Sequence, residues 1–113
     1  MDKICMAAGA AGRHKGQGYV YVMEDENQKR VKIGCSRDPE RRAIQIGATL
    51  IDYIEADEMN GAETAAQHAV ENELKMEKVE RCATDWYKLP KGVTSRDVLM
   101  VVKRAVKKHN KPK

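Results

Sequence analysis

The sequence predicts an α+β fold, in which a small, largely antiparallel, three-stranded sheet is flanked by helices. Three observations favour this class. A chain of 113 residues is long enough for one domain with a buried core, without help from a disulfide or a structural metal. Short runs of β-branched and aromatic residues alternate with longer runs of helix-forming residues. Only a few polar residues separate the first two runs, which favours a hairpin and therefore antiparallel pairing.

The hairpin is predicted between Gly18 and Gly34. The stretch "YVYVM" is β-branched and aromatic, which predicts a strand from about Tyr19 to Met23. The stretch "EDENQK" is a polar turn, and "RVKIG" is a second strand that ends at Gly34.

A short helix and a third strand follow. Ser36 or Asp38 can accept the free N–H groups at the start of the helix, and Pro39 suits its first turn. Gly47 is expected to end this helix. The stretch "TLIDYIEAD" then has the composition of a strand.

The second half of the chain predicts two longer helices around a last strand. Asn60 and Gly61 open the first of them, "AETAAQHAVENELKMEKV". The stretch "TDWYKLP" is a short strand or extended segment. Thr94 or Ser95 caps the final helix, "RDVLMVVKRAVKKH". The predicted order is β-β-α-β-α-β-α.

Charge is distributed unevenly along the chain, whose net charge is +4. Residues 91–113 hold eight lysines and arginines and one acid, a local net charge of +7, so the rest of the chain is net negative. A basic end suggests a polyanionic partner such as nucleic acid, although a solvated tail is an equally good interpretation. We predict a flexible leader over 1–17, a folded domain over 18–90, and a basic helix and tail over 91–113.

The cysteines favour a reducing compartment. Cys5, Cys35 and Cys82 are odd in number and far apart, so their spacing fits neither a disulfide framework nor a zinc motif. No stretch approaches the length of a membrane span, so no membrane partner is expected. We expect a cytoplasmic protein, or one in the host-cell cytoplasm if it is phage-encoded.

The hairpin and the first helix present three kinds of polar side chain that suit phosphate chemistry. Tyr19 and Tyr21 share one face of the first strand, and Lys32 on the second strand can lie near them. Arg42 flanks the apolar stripe of the first helix, whereas Arg41 points away into solvent. Cross-strand packing is the alternative interpretation of the tyrosines. For Arg42 the alternative is an ion pair with an acid such as Asp38.

The second long helix supplies a carboxylate. Glu63 falls at the edge of the apolar stripe, where an acid is costly unless it is paired or bound to a cation. Glu73 is its rival at the other end of the helix, and favourable charge near the helix N-terminus is an alternative role for Glu63. His68 lies on the wet face and is a candidate for a supporting role.

The motifs in their order resemble the GIY-YIG nuclease superfamily, in particular its phage and bacterial branch. The resemblance rests on "GYVYV", "VKIG", "DPERR", "AETAAQH" and "DWYKLP" and covers about Gly18 to Leu89. It implies a small antiparallel sheet with flanking helices and a metal-dependent cleavage of DNA.

The resemblance also implies roles for individual residues. The motif tyrosine falls on Tyr21 with Tyr19 beside it, and the motif glycine falls on Gly34. Lys32 stands where the second motif has a tyrosine, which is a departure from the family pattern. The helix arginine falls on Arg42. The implied ligand of a single Mg²⁺ or Mn²⁺ ion is Glu63, which stands five residues before His68.

We therefore expect a metal-dependent DNA endonuclease without a small-molecule cofactor. Basic residues of the last helix would contact phosphates without reading sequence, unless they form an ordinary solvated face: Lys103, Arg104, Lys107 and Lys108. Two alternatives remain open, namely an inactive DNA-binding module on the same fold and a phage-encoded interaction or inhibitory factor. The sequence does not indicate the oligomeric state.

Overall fold

The structure is a computed structural model that describes residues 16–25, 27, 29–79 and 86–110. Its elements are β1 (Gly18–Asp25), β2 (Arg30–Ser36), α1 (Pro39–Ile46), β3 (Thr49–Ala56), α2 (Met59–Glu73), β4 (Trp86–Lys88) and α3 (Ser95–His109). The predicted order of elements is confirmed. Residues 1–15 of the predicted leader lie outside the described residues, as do Cys5 and Cys82.

The α+β class and the antiparallel sheet are confirmed, but the sheet has four strands rather than three. The strand order is β3-β1-β2-β4, and every neighbouring pair is antiparallel. The last strand is only three residues long and pairs with residues 30–32 of β2. Its sequence was equally compatible with an unpaired extended segment. Burial of Tyr87 in the core settles its place as an edge strand.

Helices cover both faces of the sheet. On one face α2 and α3 bury the valines of β1 and β2 in a common core, to which α3 contributes Val98, Val102 and Val106. On the other face α1 packs against Tyr21 and Met23 through Ala43. The basic last helix is therefore part of the same folded body as the hairpin.

The first helix begins and ends where its sequence predicts. Asp38 is the N-cap, and its carboxylate accepts the backbone N–H of Arg41 at 3.1 Å. Gly47 follows the helix with φ +79°, a left-handed conformation that glycine adopts without strain.

The second helix differs from its prediction at both ends. It begins at Met59, with the Glu58 carboxylate accepting the N–H of Gly61 at 2.8 Å. It ends at Glu73, although its helix-forming composition continues to Val79. Lys75 takes a left-handed conformation (φ +56°), and Met76 is buried in the core. Burial of Met76 therefore outweighs the local helix propensity.

The last helix is fastened at both ends. Thr94 and Asp97 form a reciprocal capping box at its start. Just after its end, the Asn110 amide donates to the carbonyl of Glu55 and accepts the N–H of Asp57. These bonds connect α3 to the turn that precedes α2. Within the described part of the chain, no helix has both the length and the apolar character needed to cross a membrane.

Candidate active site

Tyr21 is the centre of the candidate site. Its side chain is 2 % exposed, and Gly34 is its direct partner on β2. A Cβ placed on Gly34 would stand 2.6 Å from Cζ of Tyr21, so the phenol lies directly over this glycine. Any larger residue there would displace the ring, and this close approach explains the glycine. Residues 30–32 of β2 pair with β4, and the Tyr21 hydroxyl lies beyond them, at Gly34.

Arg42 comes to the phenol from α1. Its guanidinium donates a hydrogen bond to the Tyr21 hydroxyl oxygen. Contrary to the prediction from helical periodicity, Arg42 is exposed, like its neighbour Arg41. The long side chain thus reaches the phenol from the surface of the helix, which leaves donors facing solvent.

Glu63 comes to the same place from α2. Its side chain is half-buried, and its charge lies near enough to the Tyr21 hydroxyl to raise the pKa of that group. The rival acid, Glu73, is exposed and accepts a hydrogen bond from Arg104 at 2.9 Å. Of these two acids of α2, the one beside the phenol is Glu63.

The balance of effects keeps Tyr21 protonated at neutral pH. Burial raises the pKa of Tyr21 above its ordinary value of 10.0, and the hydrogen bond and charge of Arg42 oppose this effect only in part. Repulsion from Glu63 and from Cys35 raises the pKa further. Because Arg42 donates to the phenol oxygen, the O–H proton is available to another acceptor.

This raised pKa predicts a loss of stability at alkaline pH. Below pH 10.0 the phenol is protonated in both the folded and the unfolded chain. As the pH rises from there through the folded pKa, the unfolded chain releases its proton first and unfolding becomes more favourable. We expect urea denaturation to show that, above pH 10.0, the free energy of unfolding falls more steeply with pH for the wild type than for Tyr21→Phe. Tyr53→Phe is the control and should follow the wild type; parallel curves for Tyr21→Phe would contradict the assignment.

The other predicted residues of the hairpin lie on the face of Tyr21. Lys32 is opposite Met23 and diagonal to Tyr21, and is only 5 % exposed. A lysine is rarely buried to this extent unless it is paired. Tyr19 is half-buried, and its ring meets that of Tyr53 edge to face at 5.1 Å. His68 is exposed on α2, as predicted for the wet face of that helix.

Gln67 is the residue of this region that sequence reasoning missed. It is 8 % exposed, and its side-chain amide donates to the carbonyl of Ile33 at 3.1 Å, one residue from Gly34. Because it follows Glu63 by four residues, the two share one face of α2. The bond therefore holds the face of α2 that carries Glu63 against β2, the strand over which the Tyr21 phenol lies. The available signal was only its spacing of four residues from Glu63, which does not reveal the partner of its amide.

The start of α2 has a second connection to β2. The thiol of Cys35 donates to the side-chain oxygen of Asn60 at 3.5 Å. Together with the bond of Gln67, this contact joins α2 to β2 at two points about two helical turns apart. Glu63 lies between these two fastening points.

The four basic residues predicted for nucleic-acid contact are in two different situations. Lys103 is paired with Asp52 of β3 at 2.8 Å, and Arg104 with Glu73 at 2.9 Å. Lys107 and Lys108 are exposed at the end of α3. The pair with Lys103 and the N–H of Tyr53 hold the pKa of Asp52 below its usual value. Part of the positive charge of α3 is therefore neutralised by neighbouring acids.

Potential metal ligands are sparse around Tyr21. In the segments that the structure describes, no three or more histidine, cysteine, aspartate or glutamate side chains come together as a metal-binding group. Glu63 is the carboxylate beside the phenol. A Mg²⁺ site of one or two carboxylates completed by water and substrate phosphate is a common arrangement, and a single carboxylate fits it.

Comparison with known proteins identifies the family. The sequence profile of the T5orf172 domain matches residues 18–107, from the start of β1 to the last turn of α3. The chain belongs to the T5orf172 domain family. This family is phage-associated and related to nuclease-like folds of the GIY-YIG kind. No curated protein and no solved structure gives a significant match. The matched region thus contains every candidate site residue except Lys108.

Proposed function

We propose that this T5orf172 domain is a metal-dependent endonuclease of the GIY-YIG kind, which hydrolyses phosphodiester bonds of DNA. The observation that carries the proposal is the convergence of Arg42 and Glu63 on the phenol of Tyr21, which lies over Gly34. The three side chains come from β1, α1 and α2, so only the folded chain brings them together. A phenol, a guanidinium and a carboxylate in one place are what phosphoryl chemistry requires.

Arg42 and Tyr21 have different roles in binding the phosphate. The guanidinium has five donors in a planar fork, so it can bind a phosphate oxygen while one N–H bonds the phenol. Tyr21, which stays protonated at neutral pH, orients a water molecule or a phosphate oxygen by donating its O–H. It acts as a hydrogen-bond donor in the resting state and not as a base.

Glu63 is proposed to hold the divalent ion, Mg²⁺ or Mn²⁺. Its carboxylate is half-buried at the edge of the apolar stripe, where binding a cation offsets the cost of burial. A bound ion would stabilise negative charge on the leaving oxygen and lower the pKa of a water. Gln67 and Asn60 hold the backbone of Glu63 in place on either side.

Lys32 is proposed to support proton transfer in the position where the superfamily has a second tyrosine. It lies on the sheet face of Tyr21 and is buried there. A lysine can take the place of a tyrosine in proton transfer, because its amine both donates and accepts a proton. The exposed Lys107 and Lys108 would add contacts to phosphates at a distance from the reacting bond.

Plasmid cleavage tests the proposal. We expect the wild type to nick supercoiled DNA with Mn²⁺ or Mg²⁺ and to leave it intact with EDTA. Arg42→Ala should lower the rate about 10²-fold, since it removes a donor to charge that develops in the transition state. The control is Arg96→Ala, an exposed arginine in the first turn of α3, which should cleave at close to the wild-type rate.

Other outcomes of this assay are equally informative. Equal losses in both arginine variants would indicate general electrostatic binding rather than a site. Salt-sensitive DNA binding without any cleavage would favour the inactive DNA-binding module.

A further inference from the structure

A pair of tyrosines lies beside the candidate site on the same face of the sheet. Tyr53 is the direct partner of Tyr21 on β3, and Tyr19 is two residues before Tyr21 on β1. The rings of Tyr19 and Tyr53 are 5.1 Å apart and meet at 75°, so each restricts the other. Tyr53 is 37 % exposed on the edge strand β3, so part of its ring faces solvent.

Three arginines follow the candidate strands in the segment where β2 leads into α1. Arg37 is exposed, and its guanidinium donates to the carbonyl of Gln17 at 3.2 Å, which places it at the start of β1 near Tyr19. Arg41 and Arg42 follow on the exposed surface of α1. Ile44, one turn after Arg41, is 82 % exposed. This segment therefore presents two further exposed cations close in sequence to Arg42, which itself contacts Tyr21.

We propose that this tyrosine–arginine surface, Tyr19, Tyr53, Arg37 and Arg41, binds unpaired nucleotides that flank the phosphate held at Tyr21. The arginines contact phosphates, and the exposed ring of Tyr53 stacks on a base. Stacking on aromatic rings and electrostatic contact with the backbone are the two means by which single-stranded nucleic acid is bound without sequence readout. The inference rests on the proposed function, since it specifies the DNA that the nuclease would cleave.

The chemistry distinguishes unpaired from paired DNA. In a duplex each base is stacked on its neighbours, so its face is not accessible to a tyrosine on a sheet. An unpaired or extruded base exposes that face at little cost. The surface therefore favours DNA with a single-stranded segment, such as a flap, a gap or a displaced strand, over intact duplex.

Fluorescence anisotropy in EDTA tests this inference without any cleavage. The probes are a labelled single-stranded oligonucleotide, the same strand with abasic sites at its centre, and the corresponding duplex. All three carry phosphates, but the abasic strand has no bases at its centre and the bases of the duplex are paired. We expect the wild type to bind the intact single strand roughly tenfold more tightly than the abasic strand.

The variants locate the effect on the tyrosine. Tyr53→Ala should bind the intact and abasic strands equally, whereas Tyr53→Phe should keep the preference because it keeps the ring. Met100→Ala is the control, since Met100 is an exposed apolar residue of α3, which covers the other sheet face. Met100→Ala should prefer the intact strand over the abasic strand to the same extent as the wild type.

Two results would overturn the inference: no preference of the wild type for the intact strand, or a preference that Tyr53→Ala retains. Both are independent of whether plasmid is cleaved with Mn²⁺. A cleaving protein without base preference would retain the proposed function and refute the surface. A protein that prefers the intact strand but cleaves no plasmid would retain the proposed surface and refute the proposed function.

Discussion

Replacing Glu63 by glutamine is expected to lower DNA cleavage by about 10³-fold. The substitution keeps the size of the side chain but removes the charge that would hold a divalent ion. An ion that stabilises developing phosphate charge contributes several kcal/mol to the transition state, and each ~1.4 kcal/mol changes the rate tenfold. The measurement is the initial rate of plasmid nicking with Mn²⁺, accompanied by Mn²⁺ binding followed by electron paramagnetic resonance.

Glu73→Gln is the matched control for this experiment. Glu73 lies on the same helix but pairs with Arg104 on the surface, so its loss should leave both metal binding and cleavage nearly unchanged. If Glu63→Gln binds Mn²⁺ as the wild type does, the assignment of the metal ligand is refuted. If Glu63→Gln binds no metal yet cleaves normally, the reaction does not use the ion there.

Gly34→Ala is expected to have the second large effect. The added Cβ would meet the Tyr21 ring at distances that real side chains do not tolerate, so the phenol must move. Both residues belong to a buried part of the sheet, and overpacking of this kind costs about 1–3 kcal/mol of folding free energy. A displacement of the hydroxyl by about 1 Å from its place beside Arg42 and Glu63 can lower the rate ~10²-fold.

A double-mutant cycle with Tyr21→Leu tests whether the collision is the cause. Without the ring, the extra methyl group of Gly34→Ala has space. The double variant should therefore lose less free energy of unfolding than the two single variants lose in total. Urea denaturation of the four proteins measures this coupling. Additive effects would show that Gly34→Ala acts on the strand itself rather than through Tyr21.

The part of the site that sequence could predict consists of relations within one element. Tyr19 and Tyr21 share a strand face because side chains alternate with a period of two, and this holds in the structure. The position of Glu63 at the edge of an apolar stripe follows from the helical period, and its side chain is indeed half-buried. The cap at Asp38 and the left-handed Gly47 follow from local backbone chemistry.

Contacts between side chains of different elements could not be predicted from the sequence. Arg42 is on the exposed surface of α1, yet it reaches the phenol, because the length of its side chain matters more than its place on the helical wheel. Gln67 was hidden in an alanine-rich stripe, since nothing local shows that the Ile33 carbonyl needs a donor at that point. The pairing of Arg104 with Glu73 also depends on how two helices meet.

By itself, the sequence determined the kinds of elements, their order and which residues share a face, because strand and helix periods are properties of the local backbone. It also brought together the residue types that phosphate chemistry uses. Only the tertiary structure decided the pairing of Tyr21 with Gly34, the addition of β4 as a fourth strand, and the end of α2 before Met76. Those features depend on burying side chains that are far apart in the chain, and burial is a property of the whole fold.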